Sequence, residues 1–192
     1  MPSQSITVDV TSLNRIASSL SHFEREMPGA VASSLNRTVD FMNTRVGKLV
    51  SEEYVISAKD VKKTIKKIKA SRGDMKAGIK STGGTLSFSH FKFTPKTPGK
   101  KAKVKVKIKK REGYKEIKTT PKAFIQVVRG SLNVWKREGA TRNPIQILRS
   151  LSVPQMIQSA NVGNIIQVEA SRKLEERVQH EIQYRLNKLR SR

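Results

Sequence analysis

Residues 100–110 alternate between lysine and apolar side chains, and this pattern restricts the structures that the segment can adopt. The alternating lysines are Lys101, Lys103, Lys105, Lys107 and Lys109, and the residues between them are Ala102, Val104, Val106 and Ile108. Successive side chains of a β-strand point to opposite faces of its sheet, and a half-buried antiparallel strand alternates apolar and polar residues. The sequence therefore predicts a strand with one face on the core and one face made of ammonium groups.

The N-terminal part of the chain shows helical periodicity in two segments. Residues 12–27 carry apolar side chains at helical spacing, at Leu13, Ile16, Leu20 and Phe23. Pro28 and Gly29 interrupt this pattern, and proline suits the first turn of a helix, so we expect a second helix from there to about Val50. Its apolar positions are Val31, Leu35, Val39, Met42, Val46 and Leu49, and its polar face carries Asn36, Arg37, Asp40, Asn43 and Arg45. That polar face is either solvated or in contact with another subunit.

A short basic helix is predicted over about 58–70, because Ser57 and Asp60 have the spacing of a helix-capping pair. Its apolar residues are Val61, Ile65 and Ile68, and its basic face carries Lys62, Lys63, Lys66 and Lys67. Basic amphipathic helices can bind anionic membrane surfaces, but three apolar residues without Trp or Phe make a weak anchor. No segment approaches the roughly 18 apolar residues of a membrane-spanning helix. We therefore expect no membrane partner.

The strand pattern continues on both sides of the lysine-rich segment. Leu86 and Phe88 alternate in one phase, and Phe91 and Phe93 in another, so we expect a bulge or bend at Ser89–His90. We also predict an exposed loop at 94–101, a return strand within 111–118, a hairpin at 123–137, a short helix at 153–160 and a long helix at 164–190. Residues 100–137 are expected to form one small antiparallel sheet.

The predicted fold class is α+β, with N-terminal helices, a central small antiparallel sheet with lysine-rich strands, and a long C-terminal helix. We treat 1–192 as a single domain with a helical part at 1–58, a basic helix, strands and loop at 59–122, and a hairpin and helices at 123–192. These parts carry net charges of −1, +18 and +7 within a total of +24. Such a chain needs an anionic partner. Its basic block is internal, unlike the terminal tails that bind nucleic acid.

The sequence lacks the residue arrangements that are typical of enzymes. His22, His90 and His180 lie far apart and do not have the spacing of metal ligands. The chain has no cysteine, so it has no thiolate ligand or nucleophile. The glycines of Ser81–Gly84 are not followed by the lysine of a phosphate-binding loop. We expect no catalytic residue, no metal site and no cofactor.

Several short features follow one another in order between residues 123 and 157. They are Ala123-Phe124-Ile125 after a proline, a hairpin ending near Trp135-Lys136-Arg137, the segment Arg142-Asn143-Pro144-Ile145, and Val153-Pro154 ahead of helices with a basic tail. In this order and spacing they resemble the phage minor tail protein Z family. Residues 28–46, with their Ala-rich start and Leu-Asn-Arg, are similar to the family's early helix. The resemblance covers most of the chain apart from the middle third.

The resemblance implies a structural virion protein rather than an enzyme. It implies a protein of a tailed phage that completes the tail and connects its head-proximal end to the head–tail neck. It also implies a homo-oligomeric ring, expected to be a hexamer, with the tail terminator and the head-completion proteins of the neck as partners. Such a chain resides in the virion tail and is assembled in the host cytoplasm. Whether genomic double-stranded DNA occupies the lumen stays open.

The charge of the middle third exceeds what DNA inside such a ring requires. A ring about 35 Å tall encloses about 20 phosphates of duplex DNA, whereas six copies bring on the order of 100 positive charges. We therefore expect most of these lysines to face acidic protein surfaces. The residues predicted to face a partner or DNA are Lys101, Lys103, Lys105, Lys107, Lys109, Lys110 and Arg111. Two alternatives stay open: a sheet edge that lysine protects from aggregation, and a nucleic-acid-binding protein without sequence specificity.

Overall fold

A computed structural model describes residues 10–99 and 102–191 of the chain. It does not describe the side chains of residues 10–23, 160, 189 and 190. The predictions for Lys101 and for the apolar side chains of Leu13, Ile16, Leu20 and Phe23 therefore lie outside the described residues.

Along the described chain, helices come first and last, and short strands lie between them. The elements are α1 (Val10–Glu53), α2 (Ala58–Lys63), β1 (Ile65–Ile68), β2 (Gly78–Ser81), β3 (Thr85–Ser87), β4 (Lys92–Thr94), β5 (Lys105–Lys107), β6 (Lys115–Glu116), β7 (Phe124–Val128), β8 (Ser131–Arg137), β9 (Ile145–Ile147), β10 (Arg149–Ser152), α3 (Val153–Gln158) and α4 (Ala160–Arg190). The predicted α+β class, with a long C-terminal helix, is confirmed.

The two predicted N-terminal helices are one helix, α1, and the predicted break at Pro28 is wrong. Proline inside a helix removes one backbone hydrogen bond and crowds the preceding turn. Contacts with α4 on both sides of the proline oppose this cost: Glu26 pairs with Arg185, and Ser33 donates a hydrogen bond to Glu181. Tertiary packing therefore keeps the helix continuous where its local sequence favours an interruption.

Helix α4 runs antiparallel to α1 and packs against it. Arg45 contacts Glu169 through two hydrogen bonds of 2.6 and 2.8 Å, and nearer the other end of this helix pair Glu26 contacts Arg185. Glu181 lies between these pairs and is buried against α1. Four of the five polar side chains of α1 that we expected to be solvated or to contact another subunit contact other parts of the same chain: Asn36, Arg37, Asp40 and Arg45.

The predicted basic helix is shorter than expected, because it ends at Lys63. Ser57 caps α2, and its side chain accepts a hydrogen bond from the backbone N–H of Asp60, as predicted. Residues Ile65–Ile68 then form β1, which pairs with β2. Isoleucine is favoured in strands, and pairing with a distant segment outweighs the helical spacing of the apolar residues. The assignment of Lys66 and Lys67 to a helix face is therefore wrong.

The strands pair antiparallel in small separate sheets rather than in the one sheet that we expected. β1 pairs with β2, and β3 pairs with β10. The lysine-rich sheet has the order β4-β5-β6, and the predicted hairpin is present as β7 and β8, to which β9 adds a third strand. A 3-10 turn at Phe88–His90 separates β3 from β4, which confirms the predicted bend.

The core lies where the C-terminal half of α1 meets the sheets and the start of α4. Val46 and Val50 of α1 are fully buried there, together with Met156 of α3. Val104 and Val106 are 4% and 3% exposed and belong to the same cluster, as the alternation predicts. The lysine-rich segment is therefore fixed to the core along its apolar face, which holds its other face in a defined position.

Candidate functional site

The lysine-rich strand β5 is the central strand of its sheet and is shorter than predicted. It covers Lys105–Lys107 only, with β4 on one side and β6 on the other. Lys107 lies directly opposite Lys92 of β4, and Lys105 lies directly opposite Glu116 of β6. The interpretation of this segment as a lysine-protected sheet edge is therefore wrong, because both edges of β5 are paired.

The predicted lysines have different electrostatic surroundings. Lys103 lies 3.2 Å from Glu116, and its side chain is 74% exposed. Lys109 lies 3.7 Å from Glu53 and 3.9 Å from Glu112, and the backbone of this region is hydrogen-bonded to the end of α1. Lys103 and Lys109 are thus partly neutralised within the chain, and Lys109 helps to attach the sheet to α1.

Lys110 is the last residue of the lysine-rich segment and Arg111 follows it, and both are exposed. Together with Lys105 and Lys107, they take part in no ion pair among the residues that the structure describes. Of the seven residues predicted to face a partner, these four are therefore the ones whose charge the rest of the described chain leaves available.

An open cleft of about 650 Å³ lies beside the side of β4 and β5 that carries Lys92 and Lys107. Its other walls are the connection between α1 and α2 and the 3-10 turn. Its lining residues are Val55, Ile56, Ser57, Asp60, Ser89, His90, Lys92, Lys107 and Lys110. We call this feature the cationic cleft, because three lysines and a histidine line it.

Positive charge dominates the cationic cleft. Lys92 and Lys107 are direct cross-strand neighbours, and like charges in this arrangement destabilise a sheet. Among the described residues that line the cleft, the only carboxylate is Asp60, which accepts hydrogen bonds from Lys63 at 2.9 Å and from the Ser57 hydroxyl at 2.7 Å. These two bonds hold the pKa of Asp60 below its usual value. Asp60 is therefore an anion already bound to Lys63, and it leaves the lysines of the cleft without a counter-charge.

The four lysines that we predicted on one helix face do not form one surface. Lys63 pairs with Asp60, and Lys67 pairs with Asp40 of α1 at 2.6 Å. Lys66 lies on the opposite face of β1 from Lys67, directly across from Lys80 of β2. The remaining one, Lys62, lies on α2, with its side chain close to Gly47 of α1.

Sequence reasoning found Lys107 and Lys110 but missed Lys92 and His90. The signal for Lys92 was present, because it lies between Phe91 and Phe93 in the same period-two pattern as the lysine-rich segment. The position of His90 follows from the 3-10 turn, and no short-range pattern indicates which sheet that turn approaches. The convergence of these residues depends on the pairing of β4 with β5.

Within residues 10–99 and 102–191, no group of three or more His, Asp or Glu side chains is placed to hold a metal ion. No helix in the described part of the chain is long and apolar enough to cross a membrane.

Comparisons with known proteins identify one family. A family model described as prophage minor tail protein Z (GPZ) matches residues 10–192. The match includes the lysine-rich middle third, which the short sequence features did not cover. Comparison with curated proteins and with solved structures found no significant match.

Proposed function

The chain belongs to the prophage minor tail protein Z family, and from this premise we propose that it completes the phage tail at its head-proximal end and connects it to the head–tail neck. Membership of the family makes it a minor tail protein of a phage, located in the virion tail. In our proposal it acts as a homo-oligomeric ring, expected to be sixfold, between the tail terminator and the head-completion proteins. Assembly takes place in the host cytoplasm, and its role is structural rather than enzymatic.

The match over residues 10–192 is the observation that carries this proposal. The arrangement of the lysine face supports it, because the apolar side of β5 is anchored in the core while Lys105 and Lys107 belong to its other side. A charged face on a rigid element is suited to fixing the orientation of a neighbouring subunit. Lysine face here means the lysines of residues 101–110 on the side of this segment away from the core.

The internal ion pairs indicate that the lysine face needs a partner of different sequence. Among the described residues, ten carboxylates are engaged in ion pairs within the chain: Glu26, Asp40, Glu52, Glu53, Asp60, Glu112, Glu116, Glu169, Glu176 and Glu181. Copies of the chain in a ring therefore have little negative charge to offer one another. Their lysine faces are expected to meet acidic neighbouring proteins or DNA in the lumen.

Electron microscopy of particles tests the proposal. A prophage that lacks this gene is complemented with the chain carrying a small tag, and purified particles are imaged with and without a tag-binding antibody fragment. We expect ring-shaped density at the head–tail junction, labelled by the fragment. Absence of the chain from particles, combined with salt-sensitive DNA binding by the free monomer, would instead favour a nucleic-acid-binding protein.

A further inference from the structure

We propose that the cationic cleft binds an acidic polypeptide segment of a neighbouring virion protein. This inference rests on the proposed function and assigns a partner to one part of the lysine face. It also changes the set of residues concerned. The relevant lysines are Lys92, Lys107 and Lys110, which come from two strands and the segment after them, rather than the alternating lysines of β5 alone.

The charge arrangement calls for an anion between the lysines. Lys92 and Lys107 repel one another across β4 and β5, and Lys110 adds a third positive charge to the same cleft. A carboxylate placed between ammonium groups forms short charge-assisted hydrogen bonds, which are about twice as strong as neutral ones. Binding such a group therefore relieves a repulsion that the unbound chain carries.

The shape of the cleft favours a polypeptide over duplex DNA. A space of about 650 Å³ has the size of a site for a small ligand or a few side chains, whereas a duplex is a wide rod whose major groove alone is about 12 Å across. The cationic cleft is bounded by the lysine face, the 3-10 turn and the connection between α1 and α2. An extended segment with Asp or Glu side chains enters such a space, whereas a duplex touches only its rim.

The lining also matches the mixed chemistry of a polypeptide. Val55 and Ile56 are apolar members of the lining, whereas the hydroxyl groups of Ser57 and Ser89 already contact Asp60 and Ser87. A peptide carries apolar side-chain carbons beside its carboxylates, so it can contact the apolar residues as well as the lysines. A phosphate group uses only the positive charges.

Binding by the purified full-length chain tests the inference. The probes are a fluorescent Glu-rich peptide with interspersed Leu residues, the same peptide with Gln in place of Glu, and a fluorescent DNA duplex. The cleft variant Lys92→Gln/Lys107→Gln/Lys110→Gln is compared with a control, Lys69→Gln/Lys76→Gln/Lys122→Gln. The control removes the same charge from exposed lysines that do not line the cleft and are not cross-strand neighbours of one another.

We expect the Glu-rich peptide to bind the wild-type chain and the control with similar affinity, and the Gln-containing peptide to bind neither. The cleft variant should lose about tenfold in affinity for the Glu-rich peptide. Both variants should lose similar affinity for DNA, because phosphate contacts depend on total charge. Since the cleft variant removes a repulsion, thermal unfolding should show it to be at least as stable as the wild-type chain.

Three results would overturn the inference. Equal loss of peptide binding in both variants would show a general charge effect without a cleft. Selective loss of DNA binding in the cleft variant, with peptide binding intact, would assign the cleft to phosphate. Selective loss of self-association in the cleft variant would assign it to another copy of the chain. The proposed position in the tail is tested separately by microscopy, so either proposal can fail while the other stands.

Discussion

At the scale of single residues, the lysine-rich sheet contains one cross-strand pair of like charges and one cross-strand pair of opposite charges. Lys107 faces Lys92, whereas the neighbouring Lys105 faces Glu116. Cross-strand pairs of opposite charge stabilise a sheet by about 0.2–1 kcal/mol, and like pairs destabilise it by similar amounts. The position of Lys107 is therefore unfavourable for the isolated chain, as is that of Lys66, which faces Lys80 in the sheet of β1 and β2.

This difference predicts stability changes of opposite sign for the same substitution at two positions. Lys107→Glu should raise the free energy of unfolding by about 0.5 kcal/mol, because it creates an attractive pair with Lys92. Lys105→Glu should lower it by about 0.5 kcal/mol, because it places two carboxylates opposite one another. Urea unfolding of both variants measures the changes. Equal effects at both positions would contradict the register of the sheet.

The pair between Arg45 and Glu169 predicts a pH-dependent contribution to stability. Its two hydrogen bonds join α1 to α4, and the guanidinium of Arg45 lowers the pKa of Glu169. Glu169→Gln should lower the free energy of unfolding by about 1 kcal/mol at neutral pH, since solvent screens this partly exposed pair. A carboxylate whose pKa is lowered by folding contributes stability above its unfolded pKa of about 4.3, and loses it as pH falls through the folded pKa.

Urea unfolding between neutral pH and pH about 3 tests this behaviour. The difference between wild type and Glu169→Gln should be constant near neutral pH and should shrink in acid. Glu175→Gln is the matched control on the same helix, because Glu175 is exposed and has no ion pair among the described residues. A difference that persists unchanged in acid would mean that the substitution acts through packing rather than charge.

At the scale of elements, the sequence predicted structure well where a pattern reports burial directly. The alternation around Val104 and Val106 correctly placed both residues in the core, and the phase change at Ser89–His90 correctly predicted a bend. Segments whose structure depends on a distant partner were predicted wrongly. Ile65 and Ile68 fit a helix by spacing and a strand by residue type, and pairing with β2 decided between them.

The same distinction explains how much of the candidate site could be predicted. Lys107 and Lys110 belong to a lysine-rich segment that is evident in the sequence. Lys92 and His90 join them because β4 pairs with β5 in a particular register, and that register is a property of the folded chain. Period-two alternation shows which side chains leave the core, but it does not show which of them become neighbours.

Helix α1 offers a test of tertiary support for an unfavourable local sequence. Proline costs about 3 kcal/mol more than alanine inside a helix, and part of that cost is offset because proline also restricts the unfolded chain. Pro28→Ala should therefore raise the free energy of unfolding by about 2 kcal/mol. Pro154→Ala is the control, because Pro154 lies in the first turn of α3, where proline is well tolerated.

Thermal and urea unfolding of the two proline variants provide the measurement. A large rise in the free energy of unfolding for Pro28→Ala, with little change for Pro154→Ala, would confirm that contacts with α4 keep α1 continuous although proline disfavours a helix interior. A fall in the free energy of unfolding for Pro28→Ala would instead show that the proline ring itself contributes to the packing of α1 on α4.

At the scale of the whole molecule, the carboxylates mostly form ion pairs within the chain, whereas the excess positive charge is available to other molecules. Ten carboxylates among the described residues form internal ion pairs, and several of these pairs join α1 to α4 or to the lysine-rich segment. The net charge of +24 therefore remains for external partners. A chain built in this way is expected to repel its own copies at low salt and to assemble once acidic neighbours supply the missing charge.

This expectation leads to a prediction for phage assembly. Five glutamines in place of Lys101, Lys103, Lys105, Lys107 and Lys109 should leave the chain folded but should impair the joining of tails to heads. The matched control replaces five exposed lysines elsewhere with glutamine: Lys59, Lys66, Lys69, Lys76 and Lys80. Both variants lose the same charge, so only the position of the lysines differs between them. Complementation titre and electron microscopy of lysates measure the outcome.

We expect the variant of the lysine-rich segment to accumulate separate heads and tails, and the control to yield near-normal numbers of joined particles. Equal impairment would mean that total charge, rather than the face fixed to the core by Val104 and Val106, governs assembly. Normal joining in both variants would mean that the lysine face takes no part in joining tails to heads, while family membership would still place the chain in the tail.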